Sequence, residues 1–540
     1  MEQEIKLGSF FKDKYLWLTL LIGGFFLSLT LWYSFGMDQS FFSYAAWCWK
    51  RSHSLPYTGI WYHDLPGIFV IHTFASYLFG DSMFSFRFFD FLVQLGNLAL
   101  IYYLAGRLAE NRTARFLAGL AYSIWYFGFG IFDTGQREGF LLFFLLASTI
   151  LSFRLKPKVW LRAVLVGLIL GFAFLVKTVY GLIGANFALL FLIEGFRKRP
   201  KRVWPELALF ALALALPSLI TVLICWRADA LKPMYEASVW YNYAVYAKLK
   251  YPLRYYNRGL WLLLIPKGIF LEQPIIFLLG SLGILSYLAS RQPGTERNKL
   301  VMFLLSLLAV SLLLYLYQDK RARYHLIPFM GIMNIFCGVG LARLGAIIGN
   351  SAPRQRPFFS RTVFYFLVII MLLAGYPEQI LYAFRYAFGS LDRAYSAGLQ
   401  LPADRVIALD QYQAAKGIST FLAPNDTIGF FGMYPLIPFL LKKPLPTRFC
   451  SVQQMIYRPV NGRITLTQLR WREEYVNAII KARPNFFILA DQEIGLPTDL
   501  PSQRFKDALG QDFPELNDFL NQNYELAARF GHTELYRKRR

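Results

Sequence analysis

A soluble domain has no way to bury what this chain carries. Apolar runs near 16–35, 88–106, 114–132, 139–153, 162–177, 179–195, 205–225, 270–290, 300–317, 325–346 and 362–384 follow one another with short polar breaks. A bilayer core of about 30 Å accommodates around 20 apolar residues of helix, so the pattern predicts about eleven transmembrane helices. Composition agrees: the chain is 56% hydrophobic and only 17% charged, where a soluble domain carries about 25% charge. The first run follows Lys12 and Lys14 and is too long for a signal-peptide core, with no small-residue cleavage site, so a retained first span is expected.

The net charge of +24 does not point to nucleic acid, because the basic residues are clustered between apolar runs. Placing Lys6, Lys12 and Lys14 in the cytoplasm puts 107–115, 154–162, 197–202, 291–299 and 343–361 there too. Each of these loops is short and basic, as the positive-inside rule requires. The opposite face then receives 38–87, 132–138, Lys177, 227–267, 318–325 and everything after about Phe384. From Gly389 the composition turns soluble. DTIGFFGMYPLIPFLL and PNFFILADQ read as strands or short buried elements, RWREEYVNAIIKARP and FPELNDFLNQNYEL as amphipathic helices. The expected architecture is a polytopic α-helical membrane domain over 1–388, with an interfacial loop at 36–87, and a small extracytoplasmic α/β domain over 389–540.

The polar residues that interrupt the apolar pattern gather on that second face. Asp38 ends the first span and is either a water-facing helix terminus or a general base able to take a proton from a hydroxyl. The aromatic segment after it, FFSYAAWCW, suits an interfacial helix lying on the bilayer. His53, His63 and His72 are three of only five histidines, and Asp64 adjoins one of them. With Asp38 and Glu138, His63 and Asp64 form a candidate set for a divalent cation (Mg, Mn or Zn), though with no compact metal spacing. Glu138, beside Asp133 and Arg137, begins an apolar run, where a helix N-terminus favours negative charge. It is a structural cap or a second acid.

Lys177 interrupts LGFAFLVKTVYGLIG, where a cation is expected to face a cavity or a partner. QDKRARYH sets Arg321, Arg323, Tyr324 and His325 at the start of a span, and arginine suits forked contacts with phosphate. The tyrosine-rich stretch 234–259 fits stacking on sugars or headgroups, or a belt at the interface. The four cysteines show neither metal nor disulfide spacing, and no phosphate-binding or dinucleotide glycine motif occurs, so no nucleotide cofactor is expected.

In order and sidedness, MDQSFFSYAAW, HSLPYTGIWYHDLPGIFVIHTFASYLFGDSMFSFRFFDFL (with Pro56, Tyr57, Pro66, Gly80 and Arg87), QREGFLLFFLLAS, GFAFLVKT, RARYHLIP and the tail from PNFFILAD resemble the GT-C glycosyltransferases. The likeness is to the bacterial branch containing protein O-mannosyltransferases and lipid A aminoarabinose transferases. It implies a polyprenyl-phosphate-linked sugar donor in the bacterial inner membrane and a lipid, glycan or protein acceptor on the extracytoplasmic face. Asp38 would be the catalytic acid of the family and Glu138 the second acid. Lys177, Arg321, Arg323 and Tyr324 would contact the donor phosphate, and Tyr57, His63, Asp64, Arg137 and His325 would line the substrate or interfacial loop. Two positions depart from the family pattern: Gln39 stands where many members have an acid, and Asp64-Leu65-Pro66 where many have Lys-Pro-Pro. Rival readings are a lipid or lipid-linked-sugar transporter and a catalytically silent glycolipid-binding homologue. Apolar span centres disfavour the first.

Overall fold

The computed structural model describes residues 10–53, 55–198, 200–249, 273–289, 294–318, 322–351, 357–397, 404–459, 462–491 and 504–540. The chain divides into two compact units, one of Met1–Tyr33, Arg87–Leu219 and Leu260–Phe388, the other of Ser34–Phe86, Ile220–Gly259 and Gly389–Arg540.

The first unit is helical. Among the described residues, each of the eleven apolar runs contains helix. Seven helices are long and apolar enough to cross a membrane, or eight if a bent pair counts as one, among the described residues. The shortfall against eleven has visible causes. Arg112–Gly128 is 17 residues long, Arg137–Arg154 carries charges at both ends, and Pro274–Ala289 is 16 residues. The last run breaks by 86° between Phe358–Ala374 and Pro377–Tyr386. Leu182, Leu189, Ile193, Leu212, Leu216, Leu219, Leu278, Leu285 and Leu313 point outward, a greasy exterior suited to lipid. Helices approach through small residues. A Cβ at Gly283 would fall 2.1 Å from the Phe336 carbonyl and one at Gly340 2.1 Å from that of Leu279, so Pro274–Ala289 and Ile327–Ser351 pack backbone to backbone.

Loops assigned to one face by their charge meet in this unit. Lys156 pairs with Glu194 at 2.7 Å and also with Glu296, while Arg162 pairs with Glu194 at 2.7 Å and with Glu206. The loops near 154–162, 194–206 and 296 are thereby tied together, as sharing one end of the bundle requires. Near the N-terminus, Asp13 accepts from Tyr102 at 2.7 Å and pairs with Arg115 at 3.5 Å.

The second unit holds a four-stranded sheet in the order β1-β2-β4-β3, with β1 Ile428–Phe431, β2 Phe486–Ala490, β3 Tyr524–Phe530 and β4 Thr533–Lys538. β1 and β2 are parallel, and β4 runs antiparallel to both β2 and β3. Strand alternation sends Phe431, Phe487 and Leu489 into one core and Ile428, Phe430, Phe486 and Ile488 into another, the two-residue period of a sheet covered on both faces. RWREEYVNAIIKARP lies in the helix Leu466–Ala482, whose N-terminus is fixed by a Thr465–Gln468 capping box. FPELNDFLNQNYEL contains the helix Pro514–Asn523. PLIPFLL forms a short helix, Leu436–Leu441, rather than a strand.

The expected boundary at 388/389 is one edge of this unit, but two further segments join it. Tyr57 and Trp61 from the first, and Met234 and Tyr241 from the second, share a core with Phe449, Trp471 and Tyr475. Trp61 meets the rings of Tyr241 and Trp471 edge-on, each at 5.1 Å. Sequence-distant aromatics condense here because burying each removes a large apolar area from water.

The segment after Asp38 forms the helix Met37–Ser52, but it does not have the half-exposed surface of a helix floating on a bilayer. Nine consecutive residues, Gln39 to Trp47, are buried, so its whole circumference is covered by protein. Phe42 packs on Tyr62 and Phe69, and the Tyr44 hydroxyl bridges the Lys443 carbonyl and the Leu445 N–H.

Candidate functional site

In the first unit the site is built around the turn 131–139. Arg87, fully buried, donates to the carbonyls of Ile131 and Thr134, each at 2.9 Å, and to that of Tyr33 at 3.2 Å. Asp90, one helical turn on, accepts from the Tyr126 hydroxyl at 2.9 Å, and the same hydroxyl accepts from the Gly135 N–H at 2.8 Å. Gly135 adopts φ 69°, a conformation that glycine takes without steric penalty. Gln94 links Asp90 to Tyr122 and Asn97, and Asn97 donates to the Gly139 carbonyl at 3.0 Å. The turn is thus pinned from inside the bundle by buried groups that pair with one another, Asn97 Oδ1 being left without a partner among the described residues. Sequence reading placed Arg87 only in a motif and missed Asp90, Gln94, Asn97, Tyr122 and Tyr126. The available signal was the acid within FRFFDFLVQLGN.

The pinned turn aims Glu138 inward. Glu138 sits in the first turn of Arg137–Arg154 and is fully buried. One of its carboxylate oxygens, Oε1, receives Lys177 Nζ, with His325 Nε2 at 3.6 Å. The other, Oε2, is buried with no hydrogen-bond partner among the described residues, an acceptor position suited to a hydroxyl or a cation. Lys177 reaches it because the span Val159–Val176 ends there, its backbone opening to φ −158° and ψ 114° before a new helical turn begins. The 3-10 turn Arg323–Leu326 brings His325, and Arg323 lies 4.0 Å from Asp133 and over the Phe129 ring. Tyr324 meets the His325 ring edge-on. Glu138, Lys177, Arg323, Tyr324 and His325 therefore come together, with Arg137 buried beside Glu138 in the same turn. Arg321 lies outside the described residues.

In the second unit Asp38 occupies the first turn of Met37–Ser52 and is half-buried; the helix N-terminus favours its charge. Tyr57 belongs to the same unit. It is buried at φ 79°, its hydroxyl donates to the Asp64 carbonyl at 2.7 Å, and its own carbonyl accepts from Arg448 at 2.9 Å. Burial, with Cys225 and Asp64 adding to it, raises its phenol well above the ordinary range, which unsuits it to proton transfer near neutrality. His63 stacks near Tyr246 at 4.8 Å, and its carbonyl accepts from Asn242 at 2.5 Å. His72 is buried against Phe86 at 3.8 Å, with Nδ1 3.0 Å from the Ser43 hydroxyl, and His53 ends its helix in a left-handed cap.

No group of three or more His, Cys, Asp or Glu side chains placed to hold a metal ion occurs among the described residues. His63 lies against aromatic rings in the second unit, and Glu138 meets Lys177 in the first.

Residues 63–221 match the family model of dolichyl-phosphate-mannose-protein mannosyltransferases. Over 327 residues the chain is 25% identical to the undecaprenyl phosphate-alpha-4-amino-4-deoxy-L-arabinose arabinosyl transferases of Yersinia pestis (strain Pestoides F) and Yersinia pseudotuberculosis (strain IP 31758). The match covers 55% of this chain and 56% of each relative, so the chain spans a little over half the length of the curated relatives it matches. The crystal structure of ArnT from Cupriavidus metallidurans bound to undecaprenyl phosphate superposes with a TM-score of 0.54 at 13% identity, covering 97% of both chains. Its apo form gives 0.53 at 14% identity over 98% of both. The fold of this chain is that of these ArnT structures, mostly helical with a small C-terminal sheet.

Proposed function

We propose that the protein is a membrane glycosyltransferase that moves a sugar from a polyprenyl-phosphate donor to an acceptor on the extracytoplasmic face of a bacterial inner membrane. The observation that carries this reading is the convergence of Lys177, His325 and buried Glu138, with Arg323 on Asp133, at one end of an apolar bundle of GT-C fold. Fixed cations beside a lipid-facing bundle suit a donor whose phosphate lies at headgroup depth, and the names of the relatives and of the undecaprenyl-phosphate-bound neighbour support that donor class. The basic loops tied together by Lys156 and Arg162 support placing that end of the bundle in the cytoplasm.

Asp38 takes the proton of the acceptor hydroxyl as its oxygen bonds to the anomeric carbon. The bond from that carbon to the phosphate oxygen breaks with its electron pair, and attack opposite the leaving group inverts the centre. Lys177 and Arg323 stabilise the departing phosphate, electrostatic help that acts where charge develops. Glu138 holds Lys177 in place and offers Oε2 to a substrate hydroxyl or to a divalent cation brought with the donor.

The test is transfer from polyprenyl-phosphate sugar in membranes carrying wild type or Asp38→Asn. Loss of a general base lowers turnover by about 10²–10⁴-fold. Full activity in the variant would falsify the assignment of Asp38.

A further inference from the structure

The second unit carries a cleft that the proposed chemistry does not use. It has a volume of about 780 Å³ and lies between the end of the helix Met37–Ser52 and the elements flanking β1, with Arg51, Lys416, Lys442 and Lys443 on its walls and Asp426 as its single acid. Size alone fits a small organic ligand, for which sites of about 300–1,000 Å³ are usual. The way its cations are satisfied says more.

Lys443 donates to three backbone carbonyls, those of Ala423, Pro424 and Asp426, at 3.1, 2.6 and 2.8 Å. Its hydrogen bonds are complete, yet all three partners are neutral, so its charge is fixed in the wall uncancelled. Lys442 follows the same rule: it donates to the Asp81 carbonyl and lies 3.5 Å from the centre of the Phe439 ring. The nearby Asp81 carboxylate is engaged by Lys50 at 3.2 Å and by Ser76. Arg51 sits over Trp47 at 5.7 Å. Lys416 pairs with a carboxylate, that of Asp392 at 2.8 Å. The Asp426 carboxylate turns to its own loop and accepts from the Ala423 N–H at 2.7 Å. The cleft is therefore left with an excess of positive charge held by neutral partners.

Lys442 also ends its helix at φ 53° and ψ 42°. Glycine is the usual residue at such a left-handed terminus. Apolar walls from Leu422, Leu440 and Leu441 adjoin the cations, so the cleft pairs an anion-attracting end with a greasy one.

We infer that this cleft binds a phosphate-bearing ligand, with Arg51, Lys442 and Lys443 supplying the positive charge of its wall. Burial, with Lys50 nearby, lowers the Lys442 ammonium to about 8 against the opposing pull of Asp81, and a bound anion restores its full charge. The inference requires no turnover and stands apart from the glycosyltransferase reading.

The test uses the full chain purified in neutral detergent and titrated calorimetrically at constant ionic strength, with inorganic phosphate in one arm and dihexanoyl phosphatidic acid in the other. Saturable binding of either probe, weakened at least tenfold in Arg51→Gln and in Lys442→Gln and less than threefold in Lys416→Gln, supports the site. Binding of the lipid alone assigns it to a headgroup, and equal binding of both to a free phosphate. Arg51 is solvent-exposed, so its variant keeps the test open if Lys442→Gln does not fold. No saturable binding by wild type, or unchanged affinity in Arg51→Gln, overturns the inference.

Discussion

Replacing Lys177 by methionine separates a structural role from a catalytic one. The Glu138 side chain is fully buried and that of Lys177 is 10% exposed, so the pair is largely shielded from solvent. Removing the lysine alone strands a carboxylate in the bundle, with only His325 near the same oxygen at 3.6 Å, at a cost of about 3–5 kcal/mol. Removing both charges with Lys177→Met and Glu138→Gln leaves neither partner of this pair stranded, and stability should return to within about 1 kcal/mol of wild type. The double-mutant cycle therefore carries a coupling of about 3 kcal/mol, measurable by reversible unfolding in mixed micelles. Donor turnover is read on the same four proteins. If Lys177 holds the donor phosphate, the double variant regains stability but stays at least tenfold down in kcat/KM. Recovery of both would show that Lys177 serves only Glu138. A coupling below about 1 kcal/mol would refute the claim that this pair is sealed from solvent.

Tyr126→Phe removes both the donor to Asp90 and the acceptor for the Gly135 N–H. It should lower kcat about tenfold or more with little change in KM, since the turn bearing Glu138 loosens while the chain keeps its hydrophobic packing; unchanged kcat argues against this positioning role. Trp61→Ala should cost about 3–5 kcal/mol by opening the core shared by three segments of the second unit, and thermal unfolding should show a destabilised variant. For Lys442, burial lowers the ammonium in the folded chain to about 8, well below the usual lysine range, so the unfolded chain binds more protons above pH 8 and stability rises with pH there. From pH 7 to 9 the gain is about 1 kcal/mol. Above that, the Cys48 thiol, pushed up to about 12 by burial, opposes it, because the unfolded thiol ionises first. Wild type minus Lys442→Met should show the rise between pH 7 and 9, with Asp81, Lys50 and Cys48 unchanged, and a flat difference would remove Lys442 from the account.

The sequence by itself determined the membrane class, the order of the helices and the residues worth suspecting. Period, length and charge are local quantities, and lipid leaves a long apolar run few options besides a helix. Glu138, Lys177 and His325 were legible because a charge beside an apolar run needs a reason wherever the run folds. Only the tertiary structure decided what each polar group touches. The Tyr57 hydroxyl on the Asp64 carbonyl and the burial of Gln39 to Trp47 within their helix are contacts that no local pattern announces. The network from Asp90 to Gly135 was hidden because its members lie up to 45 positions apart and pair only when helices pack. The second unit draws Trp61, Tyr241 and Trp471 into one core for the same reason: burial of aromatic area is indifferent to sequence distance, and no local pattern records it.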